Sequence, residues 1–242
     1  YGTPGGAEDL HMTNDTLMWR IAGGSGDGID STSQNFAKAL MRSGLDVFTH
    51  RHYPSRIRGG HTYVEVRASG DPVRSRGDGF NFLLALGDSF ARNPQEGAYY
   101  GNEELKPLTE NLDELNEGGV IIYDTGQIDE EEVAEIGLEE RAEKNDWHVY
   151  PMDLRAIARE HGRDVMRNTA GAGATAALLD MDPNHFKELI REAMSGEMME
   201  ANIEILDAAY DHVEEMDTEH DLRVPTGTHD TEQAMMTGSN AI

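Results

Sequence analysis

The alternation of apolar and polar positions divides the chain into strands and helices. Short apolar runs bounded by turn residues predict strands at 17–22, 45–50, 62–66, 80–86, 119–123 and 147–150. Apolar residues at helical spacing follow the first strand and predict a helix there. Further helical segments are predicted at 107–117, 129–145 (one helix or a pair), 154–160, 164–179, 183–194 and 197–215.

Strands that alternate with helices are typical of an α/β fold. We therefore expect an open, mostly parallel, Rossmann-like sheet with helices on both faces, followed by a C-terminal helical extension and a linker. Residues 1–16 are interpreted as a flexible leader, 17–195 as the main domain, 196–216 as its C-terminal helix and 217–234 as a linker. The apolar segment 235–242 resembles the beginning of an element, which predicts that the chain is cut within a longer polypeptide.

The charge balance indicates the kind of cytoplasm to which the protein is adapted. The chain carries 46 acidic and 20 basic residues, a net charge of −26, and only four of the bases are lysine. Such a surface suits a halophilic cytoplasm, because near-molar salt reduces the screening length to about 3 Å. The alternatives are a nucleic-acid mimic or a cation sink. They are disfavoured because the acids are spread over several helices, so no nucleic-acid partner is expected.

Two absences in the sequence exclude whole classes of chemistry. The chain has no cysteine, so it cannot form a disulfide, a thiolate zinc site or the ligand set of an iron–sulfur cluster. No apolar run approaches the roughly 20 residues that span a bilayer, and the first residues show no signal pattern. We therefore predict a cytoplasmic protein with no membrane partner.

The first strand enters a glycine-rich turn that leads into a helix. The turn consists of Gly23, Gly24, Ser25, Gly26, Asp27 and Gly28. This arrangement brings backbone N–H groups and a helix N-terminus to a phosphate, and glycine permits the close approach. The spacing is neither GxGxxG nor a P-loop, and the second strand leads into His50-Arg51-His52 instead of a ribose-binding acid, which disfavours NAD. The alternative is a tight turn without a ligand.

An arginine cluster follows the second strand. Between residues 50 and 76 lie six arginines and two acids, so this segment is +4 in a strongly acidic chain. Arg56 and Arg58, followed by Gly59 and Gly60, combine forked donors with an approachable backbone, which suits a diphosphate or a carboxylate. The alternative is pairing with nearby acidic helices. Because the ends of parallel strands share an edge, the glycine turn and the cluster are expected to face one crevice.

The spacing of polar residues supports no catalytic or metal site. His50 and His52 share a strand face but lack a third ligand, so no metal site is predicted. No Ser-His-Asp set and no pair of carboxylates can be defended, so no catalytic residue is assigned.

Four segments together resemble the gamma domain of 2-oxoacid:ferredoxin oxidoreductases over about residues 18–215. They are residues 21–28, residues 53–60 (Tyr-Pro-Ser-Arg-Ile-Arg-Gly-Gly), Arg167-Asn168-Thr169 before a small-residue helix, and Asn202 followed by Ala208-Ala209-Tyr210. Residues 236–242 look like the start of the thiamine-pyrimidine-binding domain that follows the gamma domain in fused, 2-oxoglutarate-type alpha subunits. The acidic, lysine-poor composition resembles that of haloarchaeal members of this family.

The resemblance implies a reaction and a division of labour. The complete enzyme would convert a 2-oxoacid, coenzyme A (CoA) and oxidised ferredoxin into acyl-CoA, CO2 and reduced ferredoxin, using thiamine diphosphate, Mg and a [4Fe–4S] cluster. This domain, inactive alone, would bind CoA and contact a beta subunit that carries the cofactors, in a heterodimer or heterotetramer. Pyruvate and 2-oxoglutarate both remain open as substrates.

The binding residues expected from the glycine turn, the arginine cluster and the resemblance form one set. They are Gly23, Gly24, Ser25, Gly26, Asp27, Gly28, Ser55, Arg56, Arg58, Gly59, Gly60 and Asn168. Two other functions stay open: a non-catalytic docking domain of the same complex, and a free-standing flavin- or nucleotide-binding protein.

Overall fold

The computed structural model describes residues 15–24, 28–52, 61–86 and 108–229. Its strands are β1 (Thr16–Gly24), β2 (Asp46–His52), β3 (His61–Ser69), β4 (Phe80–Ala85), β5 (Leu115–Asp124) and β6 (His148–Met152). Its α-helices are α1 (Ile29–Arg42), α2 (Glu130–Glu135), α3 (Leu138–Asn145), α4 (Leu154–His161), α5 (Arg167–Leu178), α6 (Asn184–Ala193) and α7 (Glu197–Glu214). Two 3-10 turns occur at Thr109–Glu114 and Asp164–Met166.

The six strands form one mixed sheet in the order β2-β3-β1-β4-β5-β6. Strands β1, β4, β5 and β6 are parallel, and β3 is antiparallel to both β1 and β2. Only eight residues separate β2 from β3, too few for a crossover, which agrees with the antiparallel pairing of these two strands. Because β1 and β2 both oppose β3, they run in the same direction and end at the same edge, which confirms the mostly parallel α/β prediction.

Helices cover both faces of the sheet. On one face α1, α4, α5, α6 and α7 pack over the larger core, where the rings of Trp19 and Phe36 lie 4.2 Å apart and are fully buried. On the other face the first 3-10 turn and α3 pack over a smaller core. The small residues of α5 serve close packing, since a Cβ on Gly173 would collide with the Leu206 carbonyl on α7.

The helix predicted at 107–117 is wrong over much of its length. Within its described part, residues 109–114 form a 3-10 turn, and residues 115–117 already belong to β5 because Leu115 pairs with Phe80 of β4. The acidic segment 129–145 is a pair of helices, divided at Gly137, whose φ is +62°.

A segment without regular secondary structure follows α7 and crosses the edge opposite the β1 carboxyl end. We call residues 217–229 the C-terminal strap. The Val224 amide donates to Leu179 at 3.2 Å, and the Thr228 and His229 amides donate to the Gly44 carbonyl at 2.9 and 3.0 Å. His229 Nε2 lies 2.7 Å from Asp46 Oδ2. The described part of the predicted linker is therefore packed on the domain.

None of the helices in the described ranges combines the length and the apolar character that crossing a bilayer requires.

Candidate functional site

The glycine turn begins where β1, α1 and the end of β4 meet. A Cβ on Gly23 would lie 3.0 Å from Ile29 Cδ1 and 3.1 Å from the Leu86 carbonyl oxygen, so a side chain there would crowd the backbone. The Leu86 amide also donates to the Ala22 carbonyl at 2.7 Å. Glycine at this position allows the three elements to approach closely.

Gly28 precedes the first residue of α1 and occupies the left-handed region, with φ +76°. Among the described residues, no side chain caps this helix N-terminus. The Ser31 and Thr32 hydroxyls instead donate to the Gly28 carbonyl, at 2.8 and 3.1 Å. The first-turn amides of α1 therefore point towards the carboxyl edge of the sheet, as an anion site at a helix N-terminus requires.

Asn168 joins the glycine turn from a distant part of the sequence. A Cβ built on Gly28 would collide with the side-chain nitrogen of Asn168, in the first turn of α5. The described residues of the predicted binding set, Gly23, Gly24, Gly28 and Asn168, thus come together. Ser25, Gly26, Asp27, Ser55, Arg56, Arg58, Gly59 and Gly60 lie outside the described residues, and their roles remain predictions.

This meeting point is a topological switch point of the sheet. From β1 the chain passes through α1, on the larger core, towards β2, whereas the connection from β4 to β5 includes the 3-10 turn on the opposite face. Connections that diverge to opposite faces leave a crevice at the carboxyl ends of β1 and β4, the usual ligand position in open α/β sheets.

The arginine segment starts at the same edge. Gly24 of β1 pairs with His61 of β3, and His52 at the end of β2 pairs with Tyr63, so the end of β2 and the start of β3 lie at the edge where β1 ends. Arg51 Nε lies 3.4 Å from Asp30 Oδ1 in the first turn of α1. This contact connects the first member of the arginine cluster to the helix N-terminus.

Two other arginines of the segment, Arg67 and Arg76, contact residues that are close to them in the sequence. Arg67 donates to the carbonyl and hydroxyl of Ser75, and Arg76 lies 3.8 Å from Glu65. These contacts do not involve the acidic helices α2 and α3, which the alternative interpretation of the cluster required.

A buried arginine on β1 was missed by the sequence analysis. Arg20 is fully buried between the rings of Tyr63 and Phe80, 4.1 and 4.0 Å from their centroids. Its guanidinium donates to Glu65, Asn111 and Glu114. The signal was present, since a charged residue interrupts an otherwise apolar strand. This network fastens the 3-10 turn to the sheet.

The Arg20 network fixes the protonation state of His61. Arginine only donates, so the Asn111 Oδ1 must face Arg20, and its Nδ2 then donates to His61 Nε2 at 2.8 Å. His61 Nδ1 lies 3.0 Å from Glu110 and donates to it. Burial, with the nearby charges of His52 and Arg20, lowers the pKa of His61 to about 4. His61 is therefore neutral.

A second buried ion pair, also missed, lies beside Asn168. Arg167 Nε is 3.8 Å from Asp124 Oδ2 at the carboxyl end of β5, with side chains 4% and 0% exposed. Burial raises the pKa of Asp124, and the Gly126 amide and Arg167 partly counteract that effect. On the other side of Asn168, Thr169 Oγ1 donates to Asn202 Oδ1 at 2.7 Å.

Across the four described ranges, no group of three or more His, Cys, Asp or Glu side chains is arranged to hold a metal ion.

Comparison with known proteins agrees with this architecture. The pyruvate ferredoxin/flavodoxin oxidoreductase family model matches residues 18–212. The 2-oxoacid:ferredoxin oxidoreductase subunit alpha of a Sulfolobus species is 24% identical over 223 residues, covering 82% of this chain and 34% of that subunit. The indolepyruvate oxidoreductase subunit IorB of Archaeoglobus fulgidus is 30% identical over 198 residues, covering 78% of this chain and 92% of IorB.

A solved structure shares the fold. It is the 2-oxoglutarate:ferredoxin oxidoreductase from Magnetococcus marinus with 2-oxoglutarate, coenzyme A and succinyl-CoA bound. It aligns with a TM-score of 0.69 and 24% identity, covering 88% of this chain and 34% of that one. This chain thus spans about a third of the length of the alpha subunits it matches. The resemblance inferred from its motifs is confirmed: the chain belongs to the pyruvate ferredoxin/flavodoxin oxidoreductase family.

Proposed function

We propose that this chain is the gamma domain of a 2-oxoacid:ferredoxin oxidoreductase and that it binds the phosphates of CoA at the carboxyl edge of its sheet. The complete enzyme would convert a 2-oxoacid, CoA and oxidised ferredoxin into acyl-CoA, CO2 and reduced ferredoxin. The domain would hold CoA and contact its partner subunits, and would not be active alone.

The contact between Gly28 and Asn168 carries this proposal. It brings together the N-terminus of α1, a side-chain amide donor and the start of the arginine segment at one switch point. Backbone amides, an asparagine amide and arginines are all donors, which suits a ligand that carries several phosphates. CoA is such a ligand, and the related M. marinus structure contains it.

In this proposal a partner subunit binds the other cofactors. With no cysteine, the chain supplies no thiolate for a [4Fe–4S] cluster, so we assign the cluster to a beta subunit. Thiamine diphosphate with Mg would supply the decarboxylation chemistry from the same subunit. The two chains would form a heterodimer or heterotetramer that passes electrons to ferredoxin in a high-salt cytoplasm.

The lengths of the relatives indicate two arrangements of this domain. The chain matches a third of one alpha subunit and nearly all of IorB, as expected for a module that exists both fused and separate. We propose that residues 17–195 and the helix at 196–216 form this module. Residues 217–234 would then lead into a thiamine-pyrimidine-binding domain that starts at 235–242.

The test uses the assembled complex, purified through a tag on this chain from its source cells. CoA affinity is measured by calorimetry at constant salt for the wild type and for the double variant Arg56→Gln/Arg58→Gln. We expect the dissociation constant to rise about tenfold or more, since each lost charge-assisted hydrogen bond contributes about 1.5–3 kcal/mol.

The control is Arg42→Gln, which removes an arginine at the far end of α1 that pairs with Glu188 and Glu192 on α6. It should leave CoA affinity unchanged. If Arg56→Gln/Arg58→Gln yields less assembled complex, and the complex that does form binds CoA with unchanged affinity, the proposal is contradicted and a docking domain is favoured. Flavin absorbance without a co-purifying iron–sulfur subunit would favour a free-standing flavoprotein.

A further inference from the structure

We propose that Arg167 and Thr169 are positioning residues that hold Asn168 against Gly28, an inference that rests on the proposed CoA site. The three residues open α5 in succession, and each side chain contacts a different element. Arg167 pairs with the end of β5, Asn168 meets the start of α1, and Thr169 bonds to α7.

The anchor on the β5 side is a buried ion pair. Asp124 is fully buried, and its carboxylate also accepts a hydrogen bond from the Gly126 amide at 3.1 Å. Separating Arg167 from it would leave a charge in a low-dielectric environment, which is far more costly than breaking a surface pair. The pair therefore ties the start of α5 to the carboxyl end of β5.

The anchor on the α7 side is a hydrogen-bonded asparagine. Asn202 is 5% exposed and accepts from the Thr169 hydroxyl at 2.7 Å. Its amide nitrogen donates to the Met198 carbonyl at 2.7 Å, so Asn202 is itself fixed within α7. Close packing of α5 on α7 at Gly173 reinforces this connection.

These two anchors determine where Asn168 points. Successive residues of a helix project about 100° apart around its axis, so Arg167 and Thr169 project on either side of Asn168. Rotation of α5 that moved the Asn168 amide away from Gly28 would break both anchors. The amide is thus ordered before a ligand arrives, and binding does not have to order it, which favours affinity.

A double-mutant cycle tests this inference in the tagged complex. CoA dissociation constants are measured for Asn168→Ala, Arg167→Gln and Thr169→Val, and for each anchor variant combined with Asn168→Ala. We expect about a tenfold loss of affinity for Arg167→Gln and about threefold for Thr169→Val. In the Asn168→Ala background, neither anchor variant should cause a further loss, because the residue that they position is gone.

A matched control is Thr175→Val, which removes a buried hydroxyl further along α5 that makes no hydrogen bond among the described residues. It should leave CoA affinity unchanged. If Arg167→Gln prevents folding, the Thr169→Val cycle decides alone.

The outcomes separate this inference from the proposed function. Unchanged CoA affinity in Asn168→Ala would contradict the proposal that Asn168 contributes to the CoA site. Weaker binding in Asn168→Ala with unchanged binding in both anchor variants would overturn the positioning role and leave the CoA site intact. Anchor effects that add fully to that of Asn168→Ala would also overturn it, because they would then act by another route.

Discussion

Gly28 and Asn168 are in direct contact although they are far apart in the sequence. Two independent features require glycine at residue 28: its backbone conformation and this contact. Its φ of +76° disfavours any residue with a Cβ, and the Cβ itself would occupy the space of the Asn168 amide. The first reason concerns stability and the second concerns the proposed ligand site, so the two can be separated by experiment.

Gly28→Ala should weaken CoA binding about tenfold, because the new methyl group displaces Asn168. The matched control is Gly137→Ala, which also places alanine at a left-handed helix N-cap, with φ +62° and no neighbour within 4 Å. Both variants should lose about 1–2 kcal/mol of stability, but only Gly28→Ala should lose CoA affinity. Calorimetry and thermal unfolding check this, and equal CoA affinities in the two variants would contradict it.

Arg20→Met should destabilise the chain by about 3–5 kcal/mol, because it leaves the buried Glu65 carboxylate without its main partner. The matched control, Arg42→Met, breaks a partly exposed pair on α1 and should cost about 1 kcal/mol or less. Urea unfolding of both variants measures the difference. A cost for Arg20→Met no larger than that for Arg42→Met would show that the network contributes little to stability.

Stability should fall as the pH decreases from about 6.5 to about 4, in part because of His61. The unfolded imidazole has a pKa near 6.5, whereas burial lowers the folded pKa to about 4. Within this window the unfolded state binds more protons, so acid favours unfolding. His220 contributes with the same sign, since burial and Arg223 also lower its pKa to about 4.

His61→Gln should flatten this pH dependence, because glutamine can accept from Asn111 and donate to Glu110 without taking up a proton. The free energy of unfolding is measured between pH 4 and 7 for the wild type and the variant. The residual slope in the variant should reflect His220 and the carboxylates. Identical slopes in the two proteins would mean that His61 is not held neutral by its neighbours.

The C-terminal strap should loosen in Gly227→Ala. A Cβ on Gly227 would collide with the Ser43 carbonyl oxygen, where the strap crosses the turn between α1 and β2. The Thr228 and His229 amides, which donate to Gly44, should then exchange with deuterium faster than in the wild type. Unchanged protection of these two amides would show that the strap tolerates the methyl group and is not held by this close approach.

The periodicity of apolar residues predicted the strands and most of the helices because each buries one face or is buried on both. It failed at 107–117, where a 3-10 turn precedes an early start of β5. It also missed Arg20, because a charged residue in a strand normally indicates exposure. Here its partners lie on β3 and the 3-10 turn, and only the folded chain brings them together.

The candidate site was predictable in part. The glycine turn and the arginine surplus are local signals, and β1 and β2, which precede them, run in the same direction and end at one edge. The contact of Asn168 with Gly28 depends on how α5 packs on the sheet, and spacing does not encode it. The resemblance to a family, not a physical derivation, singled out Asn168.

If the carboxyl edge of β1 holds the phosphates of CoA, it should distinguish CoA from pantetheine, which lacks phosphate. Dissociation constants for both are measured on the assembled complex, in the wild type and in Arg56→Gln/Arg58→Gln. We expect the variant to lose about tenfold or more in CoA affinity and nothing in pantetheine affinity. Equal losses for the two ligands, or no loss for CoA, would contradict it.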